Sequence, residues 1–232
     1  MNKNIIDLKK IKTLLLDLDG TLINSEKAFF ESFKNILQKH FNIEITKEDY
    51  KKYELEQNAM LLKKLRETNL SIKDISDKEI MTLIYNDYES QFRKVILEKE
   101  AIDNFNILQE LKKLKLTLVL VTTCRRHYLN ILIEELNLQE LFDLIVARED
   151  VENLKPAPDA YLDAIKTLNL DKDICLAFED SKRGIDAAID SGLKTIQVSN
   201  FTSIKYEDER AIRHDSANEI LNEILKVKKL EK

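Results

Sequence analysis

The sequence has few of the features that would place it in an oxidising compartment or in a membrane. Its two cysteines, Cys124 and Cys175, are too few for a disulfide framework. No apolar stretch approaches the length of about 18 residues that a membrane-spanning helix needs. The first residues, MNKNIIDLKKIK, lack the apolar core of a signal peptide. We therefore expect a cytoplasmic protein with no membrane partner.

A surplus of basic residues is also missing. The 37 lysines and arginines are outnumbered by 42 aspartates and glutamates, and the net charge of −5 comes from both signs mixed along the chain. A surface that binds nucleic acid needs a concentrated basic stripe, so we expect no nucleic-acid partner. The sequence leaves the oligomeric state open and is compatible with a monomer.

Short apolar runs alternate with helical patterns along most of the chain. The runs are continuous, as expected for strands of a parallel sheet covered on both faces. The predicted strands are Lys12–Asp17, Leu116–Thr122, Leu144–Ala147, Ile174–Phe178 and Lys194–Val198. Helices are predicted from apolar residues at three- and four-residue spacing over Ala101–Lys113, Tyr128–Leu136, Asp159–Leu168, Ser181–Ser191 and Ala217–Val227. This alternation predicts an α/β fold with a doubly wound parallel sheet.

One interval interrupts the alternation. From about residue 24 to residue 95 the sequence has helical patterns and no strand pattern, and an interval of this length is far longer than an ordinary crossover. Within it, Ser76-Asp77-Lys78-Glu79 has the pattern of a capping box at the start of a helix. We therefore predict a Rossmann-like core of residues 1–23 and 96–232, with an all-helical domain of residues 24–95 inserted after the first strand.

Acids, hydroxyls and one lysine cluster at the ends of the predicted strands. They are Asp17 and Asp19 at the first strand, Thr122 and Thr123 at the second, Lys155 beyond the third, and Glu179 and Asp180 after the fourth. A doubly wound sheet binds its ligand outside the carboxyl ends of its strands. The sequence therefore predicts one site in which these seven residues meet, and a tight turn at Gly20 brings Asp19 back toward Asp17.

Convergence of four acids at one edge requires a cation. Two carboxylates about 4 Å apart repel by roughly 4 kcal/mol at an effective dielectric constant near 20. Oxygen ligands at this density favour a hard divalent ion, and Mg²⁺ is the usual choice where phosphate is the other ligand. Lys155 and Thr122 add a positive charge and a hydroxyl donor for phosphoryl oxygens. The pattern is typical of phosphoryl transfer.

The ordered motifs resemble those of the haloacid dehalogenase-like hydrolase superfamily, in the branch with a helical cap after the first strand. DLDGTL is similar to its first motif, VLVTT to its second, the lysine of KPAP to its third and FEDSKRGIDAA to its fourth. The match extends over essentially the whole chain in the expected order and spacing.

The resemblance implies a role for each position. Asp17 would attack phosphorus to form an aspartyl-phosphate, and Asp19 would act as general acid and then as general base. Thr122 and Lys155 would hold the transferring phosphoryl group, and the catalytic Lys155 would also temper the negative charge around Asp17. Thr123, next to Thr122, is a further predicted phosphate-binding residue. Mg²⁺ would bind Asp17, the backbone carbonyl of Asp19, Asp180, and Glu179 directly or through water.

Departures from the family pattern narrow the activity. Asp19 is the second acid of the first motif. The dehalogenases of the family lack this acid and the phosphonate-cleaving relatives have a small residue in its place, so both activities are disfavoured for this chain. Sugar phosphomutases of this branch carry a histidine where this chain has Phe29. The resemblance implies a Mg²⁺-dependent phosphatase for a small phosphorylated metabolite, with the cap closing over the site. A sugar phosphomutase and a catalytically silent binding module are the alternatives.

Overall fold

The computed structural model describes residues 6–54, 58–201 and 208–231. Six strands are present in these residues: β1 (Thr13–Leu16), β2 (Thr117–Val121), β3 (Leu144–Val146), β4 (Cys175–Glu179), β5 (Lys194–Val198) and β6 (Ile212–His214). They form one sheet in the order β3-β2-β1-β4-β5-β6, and each neighbouring pair is parallel. The predicted α/β class with a doubly wound parallel sheet is confirmed.

The helices of the described residues follow the predicted alternation. They are α1 (Ser25–Phe41), α2 (Lys47–Glu54), α3 (Asn58–Thr68), α4 (Asp77–Ile96), α5 (Lys99–Lys113), α6 (Arg126–Glu135), α7 (Asp159–Thr167), α8 (Lys182–Asp190) and α9 (Ala217–Lys229). In the described part of the chain, no helix combines the length and the apolar character that crossing a bilayer requires.

The chain divides into two compact units, one of Met1–Asn24 with Ile96–Lys232 and one of Ser25–Val95. In the first unit, Leu14, Leu15 and Leu16 of β1 are each fully buried, so both faces of the sheet are covered, as the continuous apolar run requires. α7 packs on β2 and β3, and α8 packs on β4 and β5. β1 therefore lies at the centre of the sheet, with its carboxyl end between those of β2 and β4.

In the described residues of the second unit, all regular secondary structure is helical. Its core contains Phe33 of α1 and Ile84 of α4, both fully buried. The predicted capping box is present at the start of α4: the Ser76 amide donates to Glu79 Oε2 at 3.0 Å, and the Glu79 amide donates to Ser76 Oγ at 3.2 Å. Two otherwise unpaired amides of the first helical turn are thereby satisfied.

Candidate active site

The site begins where β1 ends. The Asp17 amide donates to Phe178 O of β4 at 3.0 Å, which extends the sheet pairing by one residue. After Leu18 the chain turns sharply: Gly20 has φ +83° and its amide donates to Ile23 O at 2.9 Å. A left-handed backbone at this position favours glycine. This turn holds Asp17 and Asp19 at the carboxyl edge of the sheet.

Lys155 is bound by three acceptors in the interior of the site. Its Nζ donates to Asp17 Oδ1 at 2.6 Å, to Glu179 Oε1 at 2.6 Å and to Val121 O at 2.8 Å. Lys155 is 5% exposed, Asp17 is 5% exposed and Glu179 is fully buried. An ammonium group has three protons to donate, so all of them are used within the protein. Contact with a phosphoryl oxygen would require one of these bonds to be exchanged.

Tyr161 completes this buried network. Its hydroxyl donates to Glu179 Oε1 at 2.5 Å, and Lys155 Nζ lies 5.3 Å from the centre of its ring. Glu179 Oε1 therefore receives two donors, whereas Glu179 Oε2 is buried with no hydrogen-bond partner in the described residues. A Cβ on Gly184 would lie 1.8 Å from that same Oε2. The position of Gly184 in the first turn of α8 thus provides the space that the carboxylate occupies.

Burial and neighbouring charges perturb the titration of these groups. Burial raises the pKa of Glu179 to about 7, although the Lys155 ammonium opposes the shift. Burial alone would lower the pKa of Lys155, but the Asp17 and Glu179 carboxylates raise it above its usual value. Burial, with the Glu179 and Asp17 carboxylates, also holds the pKa of Tyr161 well above its usual value. Lys155 is therefore charged and Tyr161 keeps its proton at neutral pH.

The carboxylate of Asp19 is contacted by the hydroxyl of Thr122, the residue that follows β2. Thr122 Oγ1 lies 3.4 Å from Asp19 Oδ2 as a donor and accepts from the Cys124 amide at 3.0 Å. Thr122 is 2% exposed, whereas Thr123 lies on the wall of the cavity described below. Burial, followed by the Asp19 and Asp17 carboxylates, raises the pKa of the Cys124 thiol. Cys124 is therefore no candidate nucleophile.

Three acids form a cluster suited to a metal ion. Asp17, Glu179 and Asp180 each offer a carboxylate oxygen, and these oxygens lie within 4.8 Å of one another. Burial, together with the Asp17 and Glu179 carboxylates, raises the pKa of Asp180 well above its usual value. A divalent cation would remove that repulsion, and an all-oxygen donor set fits a hard ion such as Mg²⁺. The carboxylate of Asp19 is outside this cluster, so the ligand expected from Asp19 is its backbone carbonyl.

A cavity of about 270 Å³ opens at this edge of the core unit. Its wall includes three acids and three cations: Asp17, Asp19, Asp180, Arg148, Lys155 and Arg183. Glu179 is not part of the wall and lies behind Lys155. The structure thus brings all seven predicted site residues to one edge of the sheet, with Thr122 and Glu179 in supporting positions.

Two residues near Lys155 were missed by the sequence interpretation. Tyr161 has the apolar periodicity of a core position in α7, and only the tertiary structure reveals the target of its hydroxyl. Arg183 donates from Nε to the backbone carbonyl of Lys155 at 3.0 Å, and its Nη2 contacts the same oxygen. The Lys155–Pro156 peptide bond is cis. Tyr161 and Arg183 therefore help to position Lys155, Tyr161 through its contact with Glu179 and Arg183 through the backbone of Lys155.

The parallel sheet and its carboxyl edge define an α/β protein whose site contains a lysine and an acidic cluster that could hold a divalent metal ion. The chain belongs to the haloacid dehalogenase-like hydrolase family, whose model matches residues 14–198. This finding confirms the family resemblance carried by the four motifs.

Individual relatives and structural neighbours carry the names of a pyrophosphatase and of a beta-phosphoglucomutase. The chain is 29% identical over 191 residues to the pyrophosphatase PpaX of Bacillus mycoides (strain KBAB4), covering 82% of this chain and 84% of the relative. The fold is similar to a protein provisionally described as a beta-phosphoglucomutase from Thermotoga maritima, with a TM-score of 0.76, 22% identity and coverage of 94% and 100% of the two chains. It is also similar to CbbY from Rhodobacter sphaeroides in complex with phosphate, with a TM-score of 0.66, 23% identity and coverage of 90% and 96%.

Proposed function

We propose that this protein is a Mg²⁺-dependent phosphatase that hydrolyses the phosphate ester of a small metabolite through an aspartyl-phosphate intermediate. The observation that carries the proposal is the placement of Asp17. Its carboxylate stands at the end of the central strand, is bound by the Lys155 ammonium at 2.6 Å, and lies on the wall of the cavity together with Asp19 and Asp180.

Asp17 has the properties of a nucleophile. Its Oδ1 accepts a hydrogen bond from Lys155 Nζ, while Oδ2 accepts no hydrogen bond from the described residues. The ammonium of Lys155 stabilises the negative charge of the buried Asp17 carboxylate and fixes its orientation. Asp17 Oδ2 is then the atom that attacks phosphorus, and the bond from phosphorus to the ester oxygen breaks as the new bond forms.

Asp19 is the proposed general acid and base. It lies on the cavity wall, and the Thr122 hydroxyl beside it helps to set the position of its carboxylate. A protonated Asp19 gives its proton to the leaving ester oxygen. The resulting carboxylate then takes a proton from the water that attacks the aspartyl-phosphate. Thr123 on the cavity wall and Lys155 are the proposed contacts for phosphoryl oxygens.

The acid cluster is the proposed metal site. The carboxylates of Asp17 and Asp180, the backbone carbonyl of Asp19, and Glu179 directly or through water would hold Mg²⁺. When bound, the ion supplies charge neutralisation for the phosphoryl group. Glu179 Oε1 also accepts hydrogen bonds from Lys155 and Tyr161, so Glu179 is proposed to position the lysine as well.

Hydrolysis of pyrophosphate is a second candidate, supported by the name of the relatives that are 28% and 29% identical to this chain. It uses the same residues, since only the leaving group differs. The phosphomutase alternative is weakened by Phe29, which stands where the mutases have a histidine. A phenylalanine side chain has no titratable group, and its ring lies 6.0 Å from that of Tyr85 and 6.1 Å from that of Tyr88.

The test is phosphate release from sugar phosphates, phosphoglycolate, nucleotides, pyrophosphate and an aryl phosphate, with Mg²⁺ or with a chelator. We expect release from at least one substrate only with Mg²⁺, loss of release in Asp17→Asn, and unchanged release in Asp163→Asn, an exposed position of α7. Isomerisation of a sugar phosphate with a bisphosphate primer and little free phosphate would identify a mutase instead. Binding without turnover in every assay would favour a silent binding module.

A further inference from the structure

The cations on the cavity wall differ in how far the protein already uses them. Lys155 donates all three of its protons to Asp17, Glu179 and Val121 O. The guanidinium of Arg183 donates twice to the backbone carbonyl of Lys155. All three donors of Lys155 and two of the five N–H donors of Arg183 are therefore already engaged within the protein.

Arg148 is the third cation on the wall. It lies two residues after the end of β3, at the start of the short 3₁₀ helix Arg148–Asp150, and its amide donates to Cys124 O at 3.2 Å. Its backbone is thereby tied to the segment after β2. The side chain is exposed, and among the residues that the structure describes its guanidinium has no ion pair and no hydrogen bond.

The acids next to Arg148 in the sequence are engaged elsewhere. Glu149 Oε2 accepts from the Arg126 amide at 3.0 Å, and Asp150 forms an ion pair with the Arg126 guanidinium. Asp150 Oδ2 also accepts from the Ala147 amide at 2.7 Å. Neither neighbour neutralises Arg148. A positive charge with five donors is thus held at the cavity without an internal partner.

We propose that Arg148 binds a second anionic group of the substrate, beside the phosphoryl group that is transferred. The inference rests on the phosphatase function proposed above and specifies its substrate class: small metabolites with a phosphoryl group and a nearby carboxylate or second phosphate. A guanidinium pairs with either group through two parallel hydrogen bonds. A phosphate ester of an uncharged alcohol leaves this cation without a partner.

The test compares substrates that differ in their second group. Wild type, Arg148→Gln and Arg148→Lys are assayed with pyrophosphate, phosphoglycolate and phenyl phosphate at saturating Mg²⁺. Lys194→Gln is the charge-matched control. Lys194 is exposed and is the first residue of β5, so it lies at the amino end of the strands, away from the site at their carboxyl ends.

We expect Arg148→Gln to lose about 10- to 100-fold in kcat/KM, chiefly through KM, on the doubly anionic substrates, as for loss of a hydrogen-bonded charge pair. Its activity on phenyl phosphate stays within about twofold. Arg148→Lys recovers part of the loss, and Lys194→Gln changes none of the rates. A loss confined to pyrophosphate identifies the second group as a phosphate, and one confined to phosphoglycolate as a carboxylate.

An equal loss on all three substrates, or no loss on any, would overturn the proposal. Calorimetric binding of pyrophosphate and phenyl phosphate to wild type and Arg148→Gln separates this outcome from failure of the proposed function. A wild type that turns over nothing refutes the phosphatase function. If Arg148→Gln also binds pyrophosphate as tightly as wild type, the role of Arg148 is refuted independently.

Discussion

Replacement of Lys155 by methionine tests the electrostatic balance of the site. The substitution keeps an unbranched side chain of similar length but removes the ammonium between Asp17 and Glu179. Asp17 Oδ1 and Glu179 Oε1 each lie 2.6 Å from Nζ, so at most twice that distance, 5.2 Å, separates them. At an effective dielectric constant of 20, two charges about 5 Å apart repel by about 3 kcal/mol. Removal of one partner of a buried ion pair costs about 3–5 kcal/mol in other proteins.

Thermal unfolding in a chelator measures this cost. For a domain of this size, about 2–4 °C of Tm accompanies each kcal/mol, so Lys155→Met should lower Tm by roughly 6–20 °C at pH 8. The loss should shrink toward pH 5, because burial already raises the pKa of Glu179 to about 7 and protonation removes one of the two charges. Lys112→Met is the control, since its ion pair with Asp143 is partly exposed and should contribute less than about 1 kcal/mol. Equal Tm losses in the two variants, or no recovery at low pH, would refute the reasoning.

Three further perturbations probe the surroundings of the lysine. Tyr161→Phe removes one hydrogen bond to a buried carboxylate and should cost about 1.5–3 kcal/mol in unfolding free energy, with a fall in kcat; an unchanged Tm and kcat would show that the hydroxyl is dispensable. In a chelator, wild type should lose stability relative to Glu179→Gln as pH rises from about 4.5 to about 7, because the folded-state pKa of Glu179 lies above its unfolded value of 4.5; a gain over this interval would contradict the assigned shift. Gly20→Ala would place a Cβ 2.1 Å from Asp180 Oδ2 and should weaken Mg²⁺ activation. Gly192→Ala also requires a left-handed backbone, at a cost of about 1–2 kcal/mol, but its Cβ would meet only the end of a flexible side chain, so its Mg²⁺ dependence should match wild type.

The central strands and their carboxyl edge could be predicted from the sequence because burial on both faces leaves continuous apolar runs. All five predicted strands are present, with ends displaced by no more than one residue. The sixth strand, Ile212–His214, was missed. It is three residues long, has the exposed Arg213 at its centre, and among the described residues pairs with β5 alone, at the sheet edge. A short edge strand of this composition carries no apolar run to detect.

For the site, the sequence likewise indicated which residues meet but not which atoms contact each other. The residue types and their positions after the strands indicated which side chains meet, because parallel strands end at one edge. The partners of each side chain depend on contacts distant in sequence. Lys155 meets Asp17 across 138 residues of chain, and the third acceptor of its protons is a backbone carbonyl, Val121 O. No local pattern distinguishes Tyr161 from an ordinary core tyrosine, so its contact with Glu179 required the structure.

The most direct test of the account is capture of the covalent intermediate. Wild-type protein is mixed with Mg²⁺ and its best substrate, quenched in acid during turnover, and analysed by peptide mass spectrometry. The proposed chemistry predicts a phosphoryl group on Asp17 that disappears when substrate is exhausted. Phosphorylation of a different residue, or an Asp17→Asn variant that still releases phosphate at the wild-type rate, would contradict it.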